Sequence, residues 1–342
     1  MYPPSGTEGP SPAIPDLPPG DPTDRYDDFV PRPLPPPHGR LWVQIGLFVL
    51  TLLTTTIIGA SHYLGFNVKL ENAGQPLPPE LANAFNDPRF FLTGLWYSVG
   101  ILLILGCHEM GHYVACLRYN VTATRPYFLP LPPLLFLTGT LGAFIRIKSR
   151  IPNKIALFDI GVAGPIAGFV VAVPALFLGL ALSRVDRLPE DSSQLMELGE
   201  PLLFRFASWL VWGDVAEGYS INMHPMAFAA WFGLLATALN LFPIAQLDGG
   251  HISYAVLGRR STIVTLIMIG VAIGLTFVSS SWVAWTVLLV AMILTMGPGH
   301  PPTLDEEQRL DGGRLMVAVI AMVILVLCFT PAPIGPFVTG TS

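Results

Sequence analysis

The chain has 342 residues, of which 52% are hydrophobic and 12% charged, with a mean hydropathy of +0.58 and a formal net charge of -5 at pH 7. That balance excludes a pair of ordinary soluble domains and predicts a polytopic membrane protein, and without a basic block it predicts no nucleic-acid partner. Three cysteines, Cys107, Cys116 and Cys328, form no C-x-x-C pair and predict neither a disulfide framework nor a thiolate zinc site.

Residues 1–40 form a tail dense in Pro, Gly and Asp, a composition that cannot bury enough apolar surface to fold. It lacks the basic start and apolar core of a signal peptide. Its run Pro31-Arg32-Pro33-Leu34-Pro35-Pro36-Pro37 reads either as a linker or as a ligand for a partner's groove. Residues 41–331 are expected to form one intramembrane domain, with 332–342 a short C-terminal tail.

The first apolar span covers about 41–63 and is followed by a polar loop containing Asn67, Lys69, Glu71 and Asp87. The second, about 90–117, carries His108-Glu109-Met110-Gly111-His112 near its far end. Positions i and i+4 share one helix face, so His108 and His112 can present both imidazoles to a single ion, with Glu109 beside them to take a proton from the attacking water. This is the layout of a zinc hydrolase. The competing reading is a polar helix-packing cluster without metal, but ionisable groups at membrane depth default to function. Cys107, one residue before His108, points off that face and reads as a small buried apolar residue rather than a ligand.

A proline-rich stretch, 126–133, precedes Ile145-Arg146-Ile147-Lys148, whose period of two predicts a strand from Gly142 to Lys148 with one apolar and one basic face. This strand is read either as an open edge for an extended substrate or as part of a private hairpin covering the site. The third span, about 155–183, holds Gly164, Pro165 and Gly168, with the glycines in small-x-x-x-small spacing. In the loop 184–224, residues 202–212 are apolar, short and Trp-rich, and are expected to lie in the membrane interface. Further spans follow at about 225–242, 262–279, 282–296 and 315–329, which makes the expected fold an all-α polytopic membrane protein of about seven transmembrane helices with a membrane-associated strand or hairpin near the site. The region 262–296 also admits a re-entrant pair.

With the tail inside, the inner segments collect thirteen of the eighteen Lys and Arg residues, so the positive-inside rule favours this orientation. The second and fourth spans then both run inward, and the H-E-x-x-H segment and Asp248 fall in the same half of the membrane. Two histidines leave tetrahedral zinc short of a third protein ligand, and Asp248 is the best candidate. A turn aspartate with no metal role is the alternative. His251 competes as a ligand but stands nearer the basic rim, and Asp159 reads either as a helix N-terminal carboxylate or as a group supporting the ligands.

Together these segments resemble the site-2 proteases, intramembrane zinc metalloproteases. The matching pieces are His108-Glu109-Met110-Gly111-His112, Gly164-Pro165, and Asn240 through Gly250 as an N-x-x-P-x-x-x-x-D-G signature. The resemblance implies that His108, His112 and Asp248 bind one Zn²⁺ per chain, that Glu109 is the general base and acid, and that Asn240 holds the substrate or oxyanion. It also implies transmembrane protein substrates, single-span or other, in a lipid bilayer. Ile151 through Pro165 and His300-Pro301-Pro302-Thr303 look like the branch of the chloroplast EGY-type proteases and their bacterial relatives. The 184–224 loop is too short for the PDZ domain of some members. On this reading the chain is a multi-pass protein of a bacterial inner membrane with its site toward the cytoplasm. The alternatives are a zinc or other cation transporter, which needs polar steps across both halves of the membrane, and a silent scaffold, against which the presence of Glu109 argues.

Overall fold

The computed structural model describes residues 40–133, 137–189, 191 and 195–336. The Pro-rich tail therefore lies outside the described residues except for Arg40, as does the C-terminal tail beyond residue 336. The chain is mainly helical: α1 Leu41–Asn67, α2 Pro79–Ala82, α3 Leu95–Arg118, α4 Lys154–Leu182, α5 Leu202–Trp212, α6 Pro225–Leu241, α7 Asp248–Leu257, α8 Ser261–Leu275, α9 Ser281–Met296 and α10 Gly312–Cys328. Among the described residues, four stretches are long and apolar enough to cross a membrane: Leu41–Asn67, Pro88–Arg118, Lys154–Leu182 and Asp248–Leu275. Four shorter apolar helices accompany them: Leu202–Trp212, Pro225–Leu241, Ser281–Met296 and Gly312–Cys328.

Helix starts are marked by side chains that satisfy otherwise orphaned N–H groups. Asn153 accepts from Ala156 N–H at 2.8 Å to open α4, and Asp311 accepts from Arg314 N–H at 3.0 Å to open α10. At α6, Pro225 occupies the first turn, where its missing N–H costs nothing. Helix α4 is the hub, packed against α3, α6 and α7. Close approach depends on glycine, since lipid-like surroundings favour tight van der Waals packing over burial from water. A Cβ at Gly179 would lie 2.2 Å from Ala227 N in α6, and one at Gly111 in α3 would lie 2.4 Å from Ala163 O in α4.

Among the described residues three small antiparallel pairs join the helices: β1 Tyr127–Pro130 with β2 Thr140–Phe144, β3 Arg184–Arg187 with β5 Tyr219–Asn222, and β4 Met196–Leu198 with β6 Ile334–Pro336. The expected strand at Gly142–Lys148 is displaced. β2 ends at Phe144, after which the chain pairs less regularly with 122–124: Thr124 N–H donates to Arg146 O at 3.0 Å and Lys148 N–H to Thr122 O at 2.8 Å. The break falls at Ile145, whose backbone stands beside the Glu109 carboxylate.

The β1–β2 hairpin lies along α1. From one end of α1 to the other, Gln44 Nε2 donates to Arg125 O at 2.9 Å, Phe48 meets the Phe128 ring edge-on at 5.2 Å, Thr54 Oγ1 donates to Gly139 O at 2.7 Å, and His62 Nε2 bonds Leu137 O at 2.9 Å. Tyr97 of α3 donates to Thr138 O at 2.9 Å. The hairpin's backbone thus finds polar partners on two apolar helices, as irregular backbone at membrane depth requires.

Candidate active site

Three side chains from two helices converge on one point. His108 and His112 project from one face of α3, and Asp248 is the first residue of α7. His108 Nε2 lies 3.1 Å from His112 Nε2 and 3.1 Å from Asp248 Oδ2, and His112 Nε2 lies 3.3 Å from Asp248 Oδ1. Donors held about 2.0–2.1 Å from a tetrahedral ion stand roughly 3.3–3.4 Å from one another, so the spacing and the N, N, O donor set fit a single zinc. Among the described residues this is the one cluster of at least three His, Cys, Asp or Glu side chains with that geometry.

The residue that orients the cluster could not be read from sequence. His112 Nδ1 lies 2.7 Å from Ile160 O, and since a carbonyl only accepts, the ring donates from Nδ1 and keeps the Nε2 lone pair for an ion. Gly164 forms the floor beneath it: a Cβ there would stand 2.1 Å from His112 Nε2. One helical repeat further along α4, a Cβ at Gly168 would meet His108 Cβ at 3.2 Å. The small-residue spacing of the third span therefore makes room for the two imidazoles as well as for helix contact.

Asp248 is positioned by an abrupt return of the chain. After α6, Ala245 takes a positive φ of 42°, its N–H donates to Thr265 Oγ1 at 3.1 Å, and α7 starts back against the end of α6. The two residues after Asp248 must be small. A Cβ at Gly249 would lie 2.0 Å from Leu241 O, and one at Gly250 would lie 2.1 Å from Ala245 O. This is the physical content of the N-x-x-P-x-x-x-x-D-G pattern. Asn240, in the last turn of α6, brings its amide Nδ2 to 3.4 Å from His108 Nε2.

Glu109 is buried at 8% exposure, lies beside the backbone of Ile145, and is not part of the convergent donor set. His251 is likewise outside that set and bonds His300 instead, Nδ1 to Nε2 at 2.8 Å. Asp159 follows neither expected course. It sits past the first turn of α4 and forms a two-pronged pair with Arg314, Nε to Oδ1 at 2.9 Å and Nη2 to Oδ2 at 2.8 Å, while Tyr119 also donates to it. It therefore ties α4 to the start of α10 and the end of α3. Cys107 lines the opposite side of α3, in an apolar groove of about 510 Å³ facing α1 and β1.

Residues 96–279, more than half of the chain, match the model of Peptidase family M50. The chain is similar to the protein named probable zinc metalloprotease EGY1, chloroplastic, of Arabidopsis thaliana, with 30% identity over 307 residues covering 85% of this chain and 54% of that protein. It is also similar to probable zinc metalloprotease EGY2, chloroplastic, of Oryza sativa subsp. japonica, at 29% identity over 76% of this chain and 47% of that protein. A third relative is probable zinc metallopeptidase EGY3, chloroplastic, of Arabidopsis thaliana, at 27% identity over 70% of this chain and 43% of that protein. The chain thus spans about half the length of the curated relatives it matches. With a fitting donor set, the H-E-x-x-H helix and the Asp-Gly turn all inside the matched region, the chain belongs to peptidase family M50.

Proposed function

We propose that the chain is an intramembrane zinc metalloprotease that hydrolyses peptide bonds of transmembrane proteins within or near the bilayer. The observation that carries the reading is the convergence of two imidazoles and one carboxylate on a zinc-sized point, with a buried glutamate beside them that is not one of the donors. His108, His112 and Asp248 would hold the ion, the Ile160 carbonyl orienting His112. Zinc bound there would acidify a water and polarise the scissile carbonyl. Glu109, beside the Ile145 backbone, takes the water's proton and returns it to the leaving amine. The Asn240 amide, beside His108, donates to the developing oxyanion. Metal analysis of purified variants tests the ligand roles: His108→Ala, His112→Ala and Asp248→Ala are expected to lose most bound zinc. Equal zinc in wild type and Asp248→Ala would remove Asp248 from the ligand set.

The domain is read as residues 41–331 with seven crossings, α1, α3, α4, α6, α8, α9 and α10. Two links support that parity. β4 joins the 184–224 loop to β6 after α10, and the Asn153–Asp305 bridge joins the segment before α4 to the segment before α10. The 11-residue α5, about 16 Å long, is too short to cross and is read as interfacial. The host membrane is less specific than the sequence reading, because the relatives are named chloroplastic and give no support to a bacterial inner membrane. The transporter reading draws no support either. His62 and Tyr97, the polar groups toward the other end of α1 and α3, are bonded to the hairpin rather than left as steps in a path.

An unwound substrate needs partners for its backbone groups, since each one left unpaired in the membrane costs several kcal/mol. Among the described residues β2 pairs with β1 on one edge only, and it leads into Ile145, beside Glu109. Its other edge is therefore the proposed docking strand. Ala143→Pro is expected to lower cleavage while zinc and expression persist, because proline removes one edge donor. Ile145→Pro is expected to lower it more, because its backbone stands beside Glu109. Unchanged cleavage by Ala143→Pro would favour a hairpin that merely covers the site.

A further inference from the structure

The segment between α9 and α10 does more than connect them. From His300 to Glu306 it runs as a strap against α7, the short helix that carries Asp248. Its first fastening is a ring cluster: His251 Nδ1 and His300 Nε2 are 2.8 Å apart, and the His300 ring lies 4.7 Å from that of Tyr254 at 32°. His300 Nδ1 bonds Pro301 O at 2.6 Å, so His300 donates there, and as a neutral imidazole it accepts from His251 through Nε2. His251 and Tyr254 stand three and six residues beyond Asp248, on one stripe of the helix.

The second fastening is Glu306. Its Oε1 accepts from Thr303 N–H at 2.7 Å, from Thr303 Oγ1 at 2.7 Å and from Tyr254 OH at 3.1 Å, while Lys154 Nζ lies 3.2 Å from Oε2 and donates to the Glu306 carbonyl at 2.8 Å. Burial opposes the charge, but hydrogen bonds from Thr303, then Lys154 and Tyr254, hold this carboxyl down to about 2. Below it, Leu304 N–H donates to Ile151 O at 3.2 Å and Asp305 N–H to Pro152 O at 2.9 Å. The strap is thereby bound both to α7 and to the entry of α4.

Next to the strap, α7 rests on α4 at Gly161, where a Cβ would meet His251 Cβ at 2.8 Å and Asp248 O at 3.4 Å. Its start has no side-chain cap and follows the backbone reversal at Ala245. A helix start entered in that way is not fixed by a side-chain cap. We propose that the His300–Glu306 strap is the positioning element of the third metal ligand: it clamps α7 against α4 and thereby sets where the Asp248 carboxylate meets the two imidazoles. His300 and Glu306 are positioning residues, and the inference rests on the reading of Asp248 as a ligand.

Cobalt(II) titration of the purified full chain in detergent, followed by its visible absorption, tests the strap. His300→Ala and Glu306→Gln are each expected to weaken cobalt binding by about 10–100-fold, the usual effect of losing a group that supports a ligand. Their spectra should shift toward that of Asp248→Ala, while Glu307→Gln, one residue beyond the clamp, behaves as wild type. In an Asp248→Ala background, His300→Ala should weaken binding no further, because its route to the metal is gone. Wild-type cobalt affinity in both strap variants, or an equal loss in the Asp248→Ala background, would overturn the proposal. Wild-type affinity in Asp248→Ala itself would overturn the ligand reading, and the strap with it.

Discussion

Gly164→Ala is expected to abolish zinc binding and cleavage together, although the new methyl group is the smallest that can be added. Its Cβ would stand 2.1 Å from His112 Nε2, far inside contact distance, and the atom it strikes is the one that must face the ion. The ring has nowhere useful to go, because Nδ1 is tied to Ile160 O at 2.7 Å on the same helix. Nor can the helices part cheaply, since α3 and α4 already meet at Gly111 and Ala163 O. A displacement of about 1 Å is enough to disable a site of this kind. Gly168→Ala provides the graded control: its Cβ would meet His108 Cβ at 3.2 Å and Nδ1 at 3.4 Å, so a shift of a few tenths of an ångström suffices and a partial loss is expected. Zinc content and cleavage measured on both variants check this order. Full zinc in Gly164→Ala would contradict it.

Glu109→Gln is expected to keep zinc and lose cleavage by at least 10²–10⁴-fold, the range for a positioned general base. The amide is nearly isosteric with the carboxylate and can keep its place beside the Ile145 backbone, so the shape of the site survives while proton transfer does not. A side chain outside the donor set leaves the ion in place when it is changed, whereas loss of zinc in this variant would make Glu109 a ligand.

Elements that depend on long apolar runs were legible in the sequence. Expected spans at about 41–63 and 155–183 correspond to α1, Leu41–Asn67, and α4, Lys154–Leu182, both long and apolar enough to cross, because such a helix is specified by composition over its whole length. The pairing of His108 and His112 with Asp248 was legible from depth and charge, since isolated ionisable groups in apolar spans have few partners to choose from. The helix that presents Asp248 was not. Asp-Gly-Gly after Pro243 has the propensity of a turn, and only contact with Leu241 O and Ala245 O requires glycine in the first turn of α7. β1 was hidden for a related reason, because Tyr127–Pro130 lies within a proline-rich stretch and can be a strand only as the outer member of a two-stranded pair.

Partnerships across large separations were illegible. Asp159 reads in the sequence as a helix N-terminal carboxylate or as a group supporting the ligands, yet its partner Arg314 lies 155 residues away and carries no local mark of the pairing. His62 and Leu137 are 75 residues apart, and the bond depends on a hairpin that climbs α1 rather than staying at the membrane surface. His251 competed for the metal in the sequence, and only the strap explains why its ring is occupied elsewhere.

The most direct measurement is cleavage of a purified single-span membrane protein by the purified chain in liposomes, with zinc determined on the same sample. The account predicts about one zinc per chain, product from wild type but not from Glu109→Gln, arrest by a chelator and recovery when zinc is returned. Product formed at the same rate by Glu109→Gln, or by wild type stripped of zinc, would contradict it.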